Sequence, residues 1–476
     1  MTHEGPGAGT PPIVRGLVQK GNTPMPWRRL HLIRALAAAG LASSLMFVGS
    51  PGATARPIDE VEPSTAPSEA TATETVDLLK AAKAGDLNVT ARGQGQDKVR
   101  LSIQNNSGKR LNVIVPPGLV ASSGVAQRGG GGGFQSMGLG MITNRPGSFG
   151  RFQGSGAPGF RSMPVDGAGQ PSVAVPVGES LDVTVPAVCL NYGVDAPSPR
   201  DQFTLMDVED YTEDVRIRKA LRSLALLGTS QGVAQASMWR ICDDVPFETM
   251  SSRDAKFLND YEIALASRFV DAVDSAGAED LVNPALLTEG RVFVQVEGEG
   301  AAVQGEAQRL ADKLAGLRLF NLPIQVVRDD ELPTAKAPAV LIKVALSESQ
   351  AGETIGRLQV GCTLQDDQWR PLGKSAFKDS SSMAVLDSQT LVRLMEQELV
   401  ARFVTVKPAR RTATSTTLRI ENRLPFTLSA LTVRAGTSAG SPIVPFEAVG
   451  IGPARSTMLP IQAAQAQIAG VDLNGL

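Results

Sequence analysis

From Leu87 onward, apolar residues recur at every second position in short runs: Val89, then Val99, Leu101 and Ile103, then Leu111, Val113 and Val115. Gly, Asn, Ser or Pro bounds each run, and this period of two predicts half-buried strands. The alternation stops near Ala121. Glycine dominates from there to Pro171, including Gly129 to Gly133, and predicts a long flexible insertion. Alternation resumes at Val173-Val175-Val177 and Leu181-Val183-Val185, so residues 86–207 read as one β-sandwich-like domain split by the insertion at 121–171.

Around Asp210 the period becomes helical. Asp210 or Thr212 is the expected N-cap, Val215, Ile217, Leu221 and Leu224 share one side, and Gly228 ends the turn. Further helices are expected over Gln231 to Cys242 and Arg253 to Val273, giving a helical region at 208–290. Residues 291–407 alternate again between the two periods. Strand Val292-Val294-Val296 precedes a helix with Val303, Ala307, Leu310 and Leu314 on one stripe. Strands near Ile324–Val327, Val340–Leu346 and Leu358–Leu364 and a last helix carrying Leu391, Met395, Leu399 and Phe403 follow. This predicts an α/β module with two helices on one face of a small sheet.

The C-terminal stretch, 412–476, returns to strands. It also repeats an earlier phrase: Leu101-Ser102-Ile103-Gln104-Asn105 with Leu111, against Leu418-Arg419-Ile420-Glu421-Asn422 with Leu428 at the same spacing. Either two related β-modules bracket the middle, or a strand ending in an Asn turn has simply occurred twice. The expected fold class is therefore multi-domain α+β, with β-sandwich-like N- and C-terminal modules flanking a helical segment and a small α/β module.

The N-terminus has a different logic. Arg28, Arg29 and Arg34 precede the apolar run Ala35 to Val48, which is an n-region followed by an h-region. The run is Ala- and Gly-rich and shorter than the roughly 20 apolar residues that span a bilayer. Ser50, Pro51 and Gly52 break it, and Ala53-Thr54-Ala55 offers small residues for signal peptidase. Residues 1–55 thus read as a secretory signal peptide cut after Ala55, although the long n-region keeps a retained anchor open as the alternative. Leu30-His31-Leu32 fits a twin-arginine pattern imperfectly, and no cysteine near the cut suggests lipidation. Residues 56–85 read as a Pro-, Ser- and Thr-rich linker and a short helix from Thr75 to Ala84.

Cleavage changes the chemistry, because both histidines, His3 and His31, lie in the signal. Imidazole-based nucleophile systems, general bases and zinc sites then fall away. The signal also takes five Lys/Arg (15, 20, 28, 29, 34) and Glu4, leaving 41 basic against 47 acidic residues, about −6. Such a chain has no general pull toward nucleic acid. No metal site or cofactor is expected. The three cysteines, Cys189, Cys242 and Cys362, allow at most one disulfide, for which Cys189 with Cys242 is the candidate pair; ordinary buried cysteines are the alternative.

Three catalytic motifs are weak. Gly228-Thr229-Ser230-Gln231-Gly232 fits a nucleophile elbow but follows a helix and lacks a histidine partner, so Gly228 as C-cap and Ser230 as N-cap is the better account. Ser375-Ala376-Phe377-Lys378 fits S-x-x-K without its companion motifs. Gly298 to Val303 sits where a dinucleotide loop would sit, but Glu297 and Glu299 would repel a pyrophosphate.

One pairing carries chemistry. The strand parity Leu181, Val183, Val185, Ala187, Cys189 points the thiol inward, and on the following helix Gln235 and Trp239 share a face at i, i+4, with Cys242 at i+7. Cys189 with Ala196-Pro197-Ser198-Pro199, together with Ala234-Gln235-Ala236-Ser237-Met238-Trp239, resembles the bacterial thioester domains of exported surface proteins. The resemblance implies that Cys189 supplies the sulfur, Gln235 the acyl carbon and Trp239 an apolar shield. The motif departs from the family's at Ala234, which stands where threonine is usual. The sequence-level expectation is an exported, non-enzymatic envelope or surface protein that contacts an envelope protein or glycan and is not inserted in the membrane. A covalent adhesin-like module and a histidine-free hydrolase are the alternatives.

Overall fold

The computed structural model describes residues 73–123, 135–140, 162–163, 172–254, 257–277, 281–328, 332–335, 337–364, 368–412, 416–435, 443–446, 448–461 and 466–476. The expected signal peptide with its cut at Ala55, most of the expected linker and most of the Gly-rich insertion lie outside these residues. The described residues fall in one compact unit of mixed α+β structure with several sheets.

The N-terminal module runs β1 (Thr73–Asp77), α1 (Leu78–Ala84), β2 (Leu87–Gly93), β3 (Lys98–Asn105), β4 (Arg110–Ile114), β5 (Leu119–Ser122), β6 (Met137–Leu139), β7 (Ser162–Met163), β8 (Ser172–Val175), β9 (Ser180–Cys189) and β10 (Gln202–Asp207). The helix expected from Thr75 starts at Leu78, because Asp77 is its N-cap and accepts from the Lys80 N–H, and the residues before it are strand. A closed barrel, β10-β2-β3-β9-β6-β5, stands where a sandwich was expected, beside a three-stranded sheet β1-β4-β8. Both share one core of Leu101, Ile103, Val113, Val175 and Val185. Part of the Gly-rich insertion supplies barrel strand β6. Glycine is needed there: a Cβ on Gly138 would lie 2.6 Å from the Leu221 side chain.

The middle comprises α2 (Val208–Tyr211), α3 (Val215–Leu227), α4 (Gln231–Asp243), α5 (Phe247–Arg253), α6 (Asp260–Ser275) and α7 (Pro284–Thr288). Asp214, rather than Asp210 or Thr212, caps α3. The single helix expected over Arg253 to Val273 is broken, because Asn259 and Glu262 form a reciprocal capping box that restarts the chain at Asp260. Next come β11 (Val292–Gly298), α8 (Ala301–Leu314), β12 (Arg318–Leu319), β13 (Leu322–Val326), β14 (Ala339–Glu348), β15 (Thr354–Thr363), β16 (Arg370–Asp379) and α9 (Ser388–Phe403). Their six-stranded sheet, in order β12-β13-β11-β14-β15-β16, carries α8 and α9 on the face of Val294, Ile342 and Leu358, as the pattern predicts. The sequence reading missed β16, whose mixed exposure hides its period.

The C-terminal module contains β17 (Val404–Arg411), β18 (Thr416–Asn422), β19 (Leu428–Ala435), β20 (Ile443–Phe446), β21 (Ala448–Val449), β22 (Ser456–Ile461) and β23 (Ala466–Leu473). It forms two three-stranded sheets, β17-β18-β22 and β20-β19-β23. The repeated phrase has a common physical cause. Asn105 and Asn422 are both fully buried at a strand end. Each side-chain amide donates to the carbonyl four residues on, Lys109 at 2.8 Å and Phe426 at 2.7 Å, and each accepts the N–H two residues on, from Ser107 and Leu424, at 2.9 Å. Each also holds a distant carbonyl, Val175 or Ile451, at 3.0 Å. The backbone N–H groups of the two asparagines bond Glu179 and Arg455, which immediately precede β9 and β22, and those residues bond back to Pro176 and Gly452 at the same 3.2 Å. Pairing agrees as well: β2, β3 and β9 are joined as β17, β18 and β22 are, and Leu111 pairs with Val175 as Leu428 pairs with Ile451.

The C-terminal module shares its core with the helices rather than forming a separate one: Ile420, Phe426, Leu428 and Leu473 belong to the same apolar cluster as Leu224, Phe269 and Leu399. Arg455 completes the joint. Its Nε donates to Glu262 Oε1 at 3.0 Å and its terminal nitrogen to Oε2 at 2.6 Å, with Glu262 only 1% exposed.

Candidate functional site

The structure brings Cys189 and Gln235 together, but through the cysteine's backbone. The Cys189 N–H donates to Gln235 Oε1 at 2.9 Å, and Gln235 Nε2 donates to the Cys189 carbonyl at 2.9 Å. The reason lies in the ladder. Strand β9 pairs with β3 only over 180–186, and the Ala187 N–H still reaches Asp97 O, after which β3 has ended. On its other side β9 bonds β6 through Val188 and its neighbours. The Ala187 carbonyl and both Cys189 polar groups would therefore be orphaned in the interior. Helix α4 answers with two glutamines one turn apart: Gln231 Nε2 donates to the Ala187 carbonyl, and Gln235 closes the two-bond pair with Cys189. A side-chain amide here stands in for the missing strand.

The thiol points the other way. Cys189 belongs to the barrel core, whereas Val188 and Leu190 on either side belong to the helical core, as strand parity requires. Its Sγ donates to Gln96 O at 3.4 Å. Burial, reinforced by Asp97, pushes the Cys189 thiol up to about 12; burial with Asp243 and Asp214 does the same to Cys242. Neither is a thiolate nucleophile near neutrality. The candidate Cys189–Cys242 disulfide is not formed: all three cysteines are free, because Cys189 faces the barrel interior while Cys242 lies with the helical core. Trp239 packs against both cores and meets Tyr192 edge-on at 5.1 Å, and the Tyr192 hydroxyl donates to Asp254 at 3.1 Å. The Ala196 to Pro199 segment closes over the end of β2, where a Cβ on Gly93 would meet Pro197 at 2.6 Å.

The weaker motifs resolve as local structure. Gly228 is the left-handed C-cap of α3 and Ser230 is the N-cap of α4, accepting from the Val233 N–H at 3.2 Å. Ser375 faces α9 and donates to Glu398 at 2.5 Å, while Lys378, three residues along the strand and so on the opposite face, pairs with Glu353. The S-x-x-K serine and lysine are thus separated by the sheet. Gly298 accommodates helix α8, with Gln304 N 2.7 Å from where a Cβ would lie.

A concave site that the sequence reading missed lies elsewhere among the described residues. A cleft of about 850 Å³ runs along one face of α6, with Asp260, Ser267, Arg268 and Asp271 on one wall, Glu248 and Phe247 of α5 beside them, and Leu364, Gln368 and Arg370 opposite. Asp260, Ser267 and Asp271 form a helical stripe of polar residues on α6, and that stripe was its signal in the sequence. Arg268 is engaged by the Leu286 carbonyl at 3.0 Å. Separately, the Tyr261 hydroxyl lies 3.9 Å from Cys362 Sγ, and burial followed by that thiol pushes the phenol up to about 12. Among the described residues no group of three His, Cys, Asp or Glu could hold a metal ion, and no helix is long and apolar enough to cross a membrane. No protein-family model matches the chain, and neither does any curated protein.

Proposed function

We propose that this chain is an exported cell-envelope or surface protein with a non-covalent binding role, and that the α6 cleft receives an envelope peptide or glycan bearing amino groups. The observation that carries the reading is the cleft's lining. Three carboxylates, Glu248, Asp260 and Asp271, face a space large enough for several sugar or peptide units, and one of its two guanidinium groups, Arg268, is held by a backbone carbonyl. Titration calorimetry with a chito-oligosaccharide and with a lysine-containing stem peptide tests it. The paired change Asp260→Asn and Asp271→Asn should weaken binding of whichever ligand gives heat by about tenfold. Heat from neither ligand, or equal heat from the variant, refutes the assignment. Recovery of the chain from the exported fraction with its N-terminus after Ala55 tests the address.

A covalent adhesin-like role rests on a single favourable fact, the contact of Gln235 with Cys189. Against it, thioester formation must break both hydrogen bonds from the Gln235 amide to the Cys189 backbone and turn the thiol out of the barrel core. The histidine-free hydrolase has no comparable support.

A further inference from the structure

The two β-modules invite a comparison, because their equivalent strands let the same row be read twice. With Asn105 matched to Asn422, Ser102 corresponds to Arg419. In the N-terminal copy the outward row across the strands is Thr90, Ser102 and Asp182, in register. Asp182 accepts from the Ser102 hydroxyl there and also pairs with Arg100. In the C-terminal copy the row is Lys407, Arg419 and Met458. Two cations directly opposite each other repel, an arrangement that sheets avoid.

A third cation joins them. The β17–β18 register shifts between Pro408 and Arg410, so Ala409 is the extra residue of a bulge and Arg410 comes to lie opposite Thr417. Thr417 is two residues from Arg419 and hence on its face, so the bulge turns Arg410 onto the face of Lys407 and Arg419. All three are exposed, and none has an ion-pair partner among the described residues. The hairpin's acid, Glu421, is taken by Arg423 at 3.5 Å. Strand β17 is the edge of its sheet among the described residues, and the three side chains of this face are exposed. In the N-terminal copy the corresponding edge of β2 is covered by β10.

We propose that Lys407, Arg410 and Arg419 form a docking face for a linear phosphodiester polymer without bases, of the poly(glycerol phosphate) kind. Charge complementarity selects a polyanion: the chain as a whole is −2, yet this face gathers three cations without an ion-pair partner among the described residues. The face has no aromatic on which a base would stack, which disfavours a nucleic acid. Met458, 37% exposed, is its only apolar neighbour in the row, too little for burial in a lipid surface.

The test is binding of the full chain to poly(glycerol phosphate), followed by fluorescence anisotropy over a salt series. Neutralising three contacts on a flexible polyanion predicts that affinity falls about 20-fold between 50 and 200 mM salt. The triple variant Lys407→Gln, Arg410→Gln, Arg419→Gln should lose binding at least tenfold and flatten that salt dependence. A control triple at exposed sites elsewhere, Lys80→Gln, Lys83→Gln, Lys374→Gln, should change neither. The proposal is overturned if the first triple binds as the unmodified chain does, or if the control weakens binding equally. It is also overturned if single-stranded DNA of matched charge binds more tightly, or if only phosphatidylglycerol vesicles are bound. Because the substituted side chains are exposed, unaltered thermal unfolding of both triples verifies that folding is intact.

Discussion

Replacing Gln235 by leucine removes the amide that serves both polar groups of Cys189 while keeping the side chain's bulk. Gln235 is 8% exposed and Cys189 3%, so water cannot replace the lost partners. Each orphaned backbone group costs about 1–3 kcal/mol, for a total near 4 kcal/mol. For a cooperative unit of about 400 residues, an unfolding entropy of about 2.1 cal/mol/K per residue converts this to a Tm fall of about 5 °C. Cys189→Ala leaves both hydrogen bonds in place and trims one sulfur from the barrel core, so its cost is about 1 kcal/mol, or about 1 °C. Calorimetric unfolding of the two variants, with hydrogen exchange at the Cys189 amide, makes the comparison. The amide should exchange faster in Gln235→Leu and remain protected in Cys189→Ala. If the side chains were joined covalently, both changes would remove the same bond. Equal Tm losses, with no further loss in the double variant, would refute the strand-surrogate account.

Arg455→Ala leaves the Glu262 carboxylate buried without its partner and should cost about 3–5 kcal/mol, whereas Arg455→Met combined with Glu262→Met should recover most of that in urea unfolding. Asn105→Ala and Asn422→Ala should destabilise by similar amounts, about 2–4 kcal/mol each, since their hydrogen bonds are nearly the same; a severalfold difference would show that the two corners are not equivalent. Burial raises the Glu396 carboxyl, with Asp472 adding to the effect, and burial raises Asp472 itself. A carboxyl whose folded pKa exceeds its unfolded one holds its proton more tightly in the folded chain, so this contribution to stability is complete below the unfolded pKa and is lost as pH rises through the folded one. Asp472→Asn should therefore raise Tm at neutral pH and leave it unchanged in strong acid; a loss at neutral pH would contradict the sign.

Where periodicity was strong, the sequence was enough to place elements. The stripe Val303, Ala307, Leu310, Leu314 and the caps Gly228 and Ser230 lie where the pattern put them, because capping and amphipathicity are local causes. Barrel closure was not legible. It depends on β10 reaching both β2 and β5, and on β6 emerging from a glycine-rich stretch in which Gly138 is set by a leucine 83 positions away. The Cys189 and Gln235 neighbourhood was legible, but not which atoms meet. Parity correctly turned the thiol inward, and that same inward turn directs it away from the helix that carries Gln235. The cleft was missed because its walls come from α5, α6 and the β15–β16 turn, more than 90 residues apart in the chain. The repeated asparagine was visible, whereas its hydrogen bonds show why it repeats.

The most direct test of a non-covalent function is the intact mass of the chain purified from the exported fraction under non-reducing conditions. The account predicts the full mass of the residues that follow the cleavage site, with all three thiols titratable once the chain is unfolded. A deficit of about 17 Da, abolished by Cys189→Ala, would mean that ammonia has left Gln235 and that the protein carries a thioester after all.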